Sequence, residues 1–368
     1  MTPVFISEAS LVSALGGNLN TASRSYAADQ KPLPDLLKGS EHLPSSFFMF
    51  AQDAANNLDQ QLNELLEPLF SKLGCFDDCL LVLASTTQSI QQIESDVSAA
   101  GQFNQNHLRA LDTTAHELKT HWGFAASLFI NTACTSAANG LLYAAKMLTA
   151  EHYDKAVVLA YETPSQTTRH GFSALGLQST QGHYRPFHPA RDGLILGEAY
   201  ACTLLTKEKD HRSIGRILGG ASGCDTSNIS ATREDGEHIR KVATEALRNA
   251  ELTPESIQCI KHHGTATAGN DKAEAAFYAQ MFSQYQTPAC CLKPWLGHTL
   301  GACGLTETLL LMNTLNQGLA LPAHPSARGC IIPLPCKPLS LEPSSHVLLN
   351  FSGFGGNNAS LVVAGVSS

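Results

Sequence analysis

The stretch that most constrains this chain is 127–149, SLFINTACTSAANGLLYAAKMLT. Leu128, Phe129 and Ile130 are apolar and β-prone, so 127–132 reads as a short buried strand. From Thr135 the pattern changes to small residues, then to Leu141, Leu142, Ala145 and Leu148 at helical spacing. Thr135, Ser136 and Asn139 put polar groups where the first helical turn leaves amides unpaired. Cys134 stands at the junction. A thiol there feels the positive end of the helix dipole, which favours the thiolate, and a tight strand-to-helix turn pushes its side chain outward. The chain has eleven cysteines, and the ordinary fate of any one is a buried core thiol. The rest of the sequence decides whether Cys134 is different.

With 368 residues, 43% hydrophobic and 15% charged, the chain can bury a large core and is not disordered. Its length fits one large domain or two intimately packed ones. A net charge of −8 argues against nucleic acid or an anionic membrane as partner. The first residues, MTPVFISEAS, show no charged leader segment, and no apolar run is long enough to cross a bilayer. The pairs Cys75/Cys79 and Cys290/Cys291 lack zinc-ligand spacing. The expectation is mostly buried free thiols in a reducing cytoplasm.

Taken in order, 4–6 reads as a strand and Gly16-Gly17 as a turn, with 18–46 a polar surface excursion. Phe50, Ala54, Leu58, Leu62, Leu65 and Leu69 mark a broken helix over 47–73. The run CLLVLA at 79–84 reads as a buried strand, and 88–121 as helical and mostly exposed. Strands follow at 156–160 and 200–205. A second series then begins. It has strands at 214–218, 257–261 and 289–292, and helices at 234–250, 273–282 and 301–315. Strands at 347–350 and 360–363 close the chain. Both halves alternate strand and helix and end in paired strands, which predicts mostly parallel sheets with helices on their faces and an internal duplication. No low-complexity linker separates them, so the halves share one core.

Three further stretches could carry chemistry. In KHHGTATAGNDKAE (261–274), His263 follows a strand, where α/β sheets place their sites, and precedes a helix starting with Asp271 and Glu274. In CCLKPWLGHTLGACG (290–304), Lys293 follows a strand and His298 sits in a glycine-flanked loop before a helix. In NFSGFGGNN (350–358), a glycine-rich turn lets backbone amides approach a ligand closely. Singly, a loop histidine is a surface residue, a lysine a solvated charge and GFGG a hairpin. Together, one cysteine and two histidines share the same context, at a strand end beside a small-residue helix start. A cysteine with a histidine is the minimum for an activated acyl-carrying thiol, and a second histidine adds a donor to a developing oxyanion.

The chain resembles the β-ketoacyl-acyl carrier protein synthases of the elongating type, condensing enzymes of the thiolase superfamily. The matches are TACTS around Cys134, RPFHPARDG at 185–193, HGTAT with Asn270, Asp271 and Glu274, KPWLGHTLGACG at 293–304, and GFGG at 353–356. They occur in the family's order over nearly the whole chain. The resemblance implies an α/β thiolase-like fold, a duplicated α-β-α-β-α layering with two mixed sheets. The half with the nucleophile would be 1–210 and the half with the two histidines 211–368. Cys134 would take an acyl chain as a thioester. His263 and His298 would bind a malonyl thioester and promote its decarboxylation, supported by Lys293 and Glu274. The amides of Cys134 and Phe354 would form the oxyanion hole, with Phe354 as gate. Thr265, Thr267, Gly355 and Gly356 would bind the substrate arm. The implied chemistry requires no metal and no redox cofactor, and the implied partners are acyl carrier proteins bearing acyl and malonyl groups, and a second subunit, either a copy or a ketosynthase-like relative. The alternative implied role is a non-catalytic subunit that sets chain length beside another ketosynthase; such subunits usually lack the nucleophile.

The sequence departs from the family pattern at several positions. Lys261-His262 stands where a Glu-Ala pair is usual, His188 where Asp is usual, Ala137 where Gly is usual, and Ser352 where a second Phe is usual. These departures bear on the pocket more than on the chemistry. They point towards a polyene or other specialised lipid rather than housekeeping fatty acid synthesis.

Overall fold

The computed structural model describes residues 1–366 apart from 33–34, 37–45, 51–57, 228–232 and 326. In chain order the strands are β1 (Val4–Ser13), β2 (Asp35–Leu36), β3 (Ser46–Phe48), β4 (Cys79–Ala84), β5 (Ala126–Ile130), β6 (Lys155–Glu162), β7 (Leu196–Gly197), β8 (Ala199–Thr206), β9 (Gly215–Cys224), β10 (Cys259–Lys261), β11 (Ala289–Cys290), β12 (His346–Gly353) and β13 (Asn357–Ala364). The helices are α1 (Leu19–Ala27), α2 (Leu58–Leu73), α3 (Ile90–Ala100), α4 (Leu111–Trp122), α5 (Ser136–Thr149), α6 (Gln166–Ala174), α7 (Glu237–Asn249), α8 (Ala268–Met281), α9 (Lys293–Leu296) and α10 (Cys303–Asn316).

The duplication is written in the sheet order. One series runs β5-β4-β6-β8-β1 and the other β11-β10-β12-β13-β9. Numbering each group of five along the chain gives the same order, 3-2-4-5-1, in both. The pairing sense also matches: two parallel ladders, β5-β4-β6 and β11-β10-β12, then two antiparallel ones. The two sheets meet at a short antiparallel seam, Val4↔Ile217, Phe5↔Arg216 and Ile6↔Gly215, so hydrogen bonding continues from one to the other.

Side-chain alternation builds the layers. In β4, Leu80, Val82 and Ala84 face the central core, while Cys79, Leu81 and Leu83 face an outer core under α2 and α4. In β12 and β13, Val347, Leu349, Leu361 and Val363 face the centre, while Leu348 and Val362 face an outer core under α7 and α8. Helices α5 and α10 fill the centre. Both faces of these strands are dry, which is why they read as unbroken apolar runs. The result is the α-β-α-β-α layering. No helix among the described residues is long and apolar enough to cross a membrane.

Several expectations need correction. β5 is not a buried strand. It lies at the end of the sheet, and Phe129 is 55% exposed. The 18–46 excursion contains α1, whose Leu19, Ala22 and Tyr26 are buried. The broken helix is a strand, β3, followed by α2; Ala54 and 37–45 lie outside the described residues. The mostly exposed helical reading of 88–121 holds: α3 buries nothing, and α4 buries one face through Leu111, Ala115 and Leu118. Helix α6 had no expectation at all; its only buried residue, Arg169, gives no apolar period to read.

Candidate active site

The turn between β5 and α5 is held by its own hydroxyls. Thr132 donates its amide to Ser136 Oγ at 2.9 Å, Ser136 Oγ donates to the Ala133 carbonyl at 2.6 Å, and Thr135 Oγ1 donates to the Thr132 carbonyl at 2.7 Å. Asn139 Nδ2 reaches Thr132 Oγ1 at 2.9 Å. These polar residues therefore brace the turn and do not cap the helix, which has no side-chain cap. Ala133 pays for the sharp corner with a φ of 53°, left-handed for a residue with a Cβ. The GFGG turn lies against this corner. A Cβ on Gly353 would sit 3.0 Å from the Cys134 nitrogen.

Cys134 is buried, and burial pushes its thiol up to about 12, against the pull of Lys293 and of the Cys134 and Phe354 amides. The expected resting thiolate is overturned. A half-charge at a helix terminus is outweighed when a thiol loses its water.

His263 comes off the end of β10 and His298 out of the loop after α9. A reactive atom from each and the Cys134 sulfur lie within 4.8 Å of one another. The two rings meet edge to face, 5.1 Å between centroids. His298 is fixed through its backbone, donating to the Ile195 carbonyl at 2.7 Å. Lys293 Nζ lies 3.3 Å from His263 Nδ1. Burial, then the Lys293 charge, holds both imidazoles well below the usual histidine range, so both are neutral. The same three side chains are the group with metal-ligand spacing among the described residues. The adjacent Lys293 ammonium opposes a cation there.

Glu274 does not reach this centre. Its carboxylate accepts the amides of His263 at 2.6 Å and Gly264 at 2.7 Å, Asn270 Nδ2 at 2.8 Å, and His262 Nδ1 at 3.3 Å. It anchors the loop that carries His263. The carboxylate that serves the centre is Glu307 on α10, which the sequence reading missed. Its two oxygens accept Lys293 Nζ at 2.7 Å and Lys261 Nζ at 2.6 Å. Burial acts to lower Lys293, but Glu307 outweighs it and holds the lysine above its usual value. A signal was available: a glutamate inside the apolar face of a buried helix requires a cation, and two lysines stood at strand ends.

Above the three residues opens a cavity of about 490 Å³. Thr265 and Thr267 line it, with their hydroxyl oxygens 2.8 Å apart. Phe354 lines it too and stacks on Phe172 of α6, 5.4 Å between centroids, a contact that no sequence signal announced. Gly356 lines the cavity, while Gly355 does not; its φ of 76° serves the turn itself. The departures each have a place. Ser352 bonds Asn358, His188 accepts the Ala190 amide, and His262 packs between Phe187 and Phe277. Ala137 lies where α5 meets Gly304 of α10.

Comparison with known proteins accords with this geometry. The family described as "Beta-ketoacyl synthase, N-terminal domain" matches residues 84–211, and "Beta-ketoacyl synthase, C-terminal domain" matches 214–326. The 3-oxoacyl-[acyl-carrier-protein] synthase 2 of Coxiella burnetii is 28% identical over 262 residues, 65% of this chain and 62% of that protein. A putative polyketide β-ketoacyl synthase 1 of Streptomyces cyaneus is 27% identical over 64% of this chain and 60% of that protein. The matched stretch thus spans about three-fifths of the length of these relatives. A ketosynthase solved in complex with its chain length factor, from Xenorhabdus doucetiae, has a TM-score of 0.85 at 24% identity, covering 99% of this chain and 98% of its own. The ishigamide ketosynthase/chain length factor has a TM-score of 0.84 at 18% identity and covers all of both chains. At these identities the structural likeness speaks for the fold. With both domain families matched in order, this chain belongs to the β-ketoacyl synthase family, of the elongating condensing type, on the thiolase-like fold.

Proposed function

We propose that this chain is an active β-ketoacyl synthase that joins an acyl group on Cys134 to a malonyl group on an acyl carrier protein, in fatty acid, polyene or polyketide-type elongation. The observation that carries this reading is the thiol set within 4.8 Å of two neutral imidazoles. In the first half-reaction Cys134 attacks the carrier thioester, its proton passes to an adjacent imidazole and on to the departing carrier thiol, and the acyl group stays on sulfur. The Cys134 and Phe354 amides receive the oxyanion. In the second, His263 and His298 donate to the malonyl thioester oxygen while the C–C bond to the carboxylate breaks and carbon dioxide leaves. Lys293, donating to His263 Nδ1, fixes the tautomer that keeps its Nε2 a donor. The enolate carbon then attacks the acyl-Cys134 carbonyl, and the sulfur leaves. Each preorganised donor is worth roughly 3–4 kcal/mol. Phe354, stacked on Phe172, gates the acyl pocket, and Thr265 and Thr267 meet the carrier's arm. The division at 210/211 follows the shared strand order of the two halves.

The second reading is a chain-length subunit without catalysis. Two similar structures pair a ketosynthase with a chain length factor. Retention of Cys134, His263 and His298 together favours catalysis. The same likeness supports pairing with a ketosynthase-like partner. The deciding experiment incubates the protein with an acyl-carrier thioester and then a malonyl carrier. Acyl mass on the Cys134 peptide, followed by carbon dioxide release, is expected. Neither event in the protein, alone or with a captured partner, would leave the second reading.

A further inference from the structure

The condensation leaves one buried cation of the cluster without a role. Lys261 ends β10, is fully buried, and lies two residues before His263. Its Nζ is 2.6 Å from one oxygen of Glu307 and 3.5 Å above the ring of Phe351. Lys293 takes the other oxygen at 2.7 Å. Two ammonium groups therefore share one carboxylate. Burial, with the neighbouring Lys293 charge, holds Lys261 below the usual lysine value, while the Glu307 ion pair and the Phe351 face favour retaining its proton. The trio then carries a net charge of +1 in a dry core. An unmatched charge there is costly unless something uses it.

The groups around the imidazoles say what uses it. His263 faces Lys293 from α9, His298 from the following loop, Cys134 from the turn before α5, and Lys261 along its own strand. His298 faces Lys293, Lys261, His263 and Cys134. The α8 carboxylate Glu274 meets His263 at its backbone amide, and Glu307 of α10 stands between the lysines. No carboxylate in these contacts offers either ring a proton-stabilising partner.

We propose that Lys261 is a positioning residue: by holding the second oxygen of Glu307 it fixes Lys293 and maintains a net positive charge beside His263 and His298, so that both stay neutral donors in mildly acid conditions. This deepens the ketosynthase reading, on which the use of those donors rests. Its own test does not depend on activity.

The test follows the imidazole resonances of the full chain labelled with ¹³C-histidine, assigned with His263→Ala and His298→Ala. Lys261→Met removes the charge and keeps an unbranched stem; Lys261→Arg keeps the charge. The titrations of both rings should rise in Lys261→Met by about one pH unit, a tenfold gain in imidazolium at a given pH. They should stay in place in Lys261→Arg. The double variant Lys261→Met, Glu307→Gln restores the net charge and should bring the titrations back. The acid limb of malonyl-carrier decarboxylation should move with them. Titrations in a folded Lys261→Met within about 0.2 unit of the parent would overturn the inference. A second measurement needs no variant: ¹⁵N-lysine spectra of the parent protein should show a Lys261 ammonium throughout the neutral range, and a neutral amine at pH 7.5 would overturn it as well. Absent decarboxylation with shifted titrations would instead sink the ketosynthase reading and leave this one standing.

Discussion

Gly304 meets the backbone of Ala138 so closely that a Cβ on Gly304 would lie 2.1 Å from the Ala138 nitrogen. This contact joins α5, which begins just after Cys134, to α10, which begins just after His298. It is where the two halves of the duplication set their reactive residues against each other. Gly304→Ala cannot be absorbed by a rotamer change, because the obstructing atoms are backbone. The expected cost is at least about 2 kcal/mol of stability, together with loss of acyl transfer as the helices separate. Urea unfolding and a transfer assay would check both. A variant as stable and as active as the parent would mean that the approach is looser than drawn.

Glu307 is predicted to be indispensable to folding as well as to chemistry. Replacing it by Gln leaves Lys261 and Lys293, both fully buried, without their carboxylate. Removing one partner of a buried ion pair costs about 3–5 kcal/mol. Glu307→Gln should therefore unfold at clearly lower denaturant than the parent. Adding Lys261→Met should recover part of the loss, because one stranded charge is removed. Equal midpoints for the parent and Glu307→Gln would show that the lysines shed their protons instead.

Much of this arrangement was legible in the sequence, and its gaps have physical reasons. Cys134 and His263 could be read because each follows an apolar strand, where α/β folds expose side chains, and His298 because it sits in a glycine-flanked loop before a helix. The layered sheets could be read because β4 and β6 are apolar on both faces. Glu307 and Lys261 were not legible as a pair, since 46 residues separate them and only the sheet brings β10 under α10. The resemblance names Glu274 as support for the histidines; in space that support is to the backbone amides of His263 and Gly264, and the carboxylate on Lys293 is Glu307. The thiol's charge state was misread because sequence shows the helix start and not the depth of burial. Helix α1 was missed because its polar residues outnumber the few that pack.

The buried thiol gives a prediction about reactivity. With its proton held to about 12 by burial, Cys134 of the free protein should alkylate slowly at pH 7.5. Its rate should still be climbing at pH 9.5. Exposed Cys224 and Cys336 should label first. Peptide mapping after short iodoacetamide pulses across that range tests this. Rapid labelling of Cys134 that saturates below pH 8 would mean that the thiolate is already present in the resting site.

The neutral histidines give a prediction about acid. His263 and His298 lie well below the usual histidine value, and burial pushes His324 down to about 3. The unfolded chain binds these protons near pH 6.5, whereas the folded chain does not. Stability is thus complete above about pH 6.5 and falls below it, by at most roughly 1.4 kcal/mol per pH unit for each histidine. Denaturant midpoints at pH 7.5 and 5.5 should differ accordingly, and the His263→Ala, His298→Ala double variant should lose less on acidification than the parent. Equal losses would point to other groups.

The last prediction concerns assembly. β5 ends the sheet and pairs only with β4 among the described residues. Its neighbours Leu128 and Ile130 pack partly against the core, while Phe129 stands 55% exposed on the outer side. An edge strand with free amides and an exposed aromatic ring is an aggregation hazard unless something covers it. A partner strand related by a two-fold axis would satisfy the amides and bury Phe129 in one step, two residues before the turn that carries Cys134 begins. We therefore expect a dimer, with a second copy or with a ketosynthase-like relative, built on β5. Phe129→Lys should weaken it by about thirtyfold or more, since a central aromatic anchor is worth about 2 kcal/mol or more at an interface. The same variant should leave the monomer's unfolding midpoint unchanged, because an exposed side chain adds little to the fold. Native mass spectrometry of the protein alone, and co-expressed with the products of neighbouring genes, reads the outcome. A parent protein that stays monomeric at micromolar concentration and captures no partner strand would refute the β5 interface.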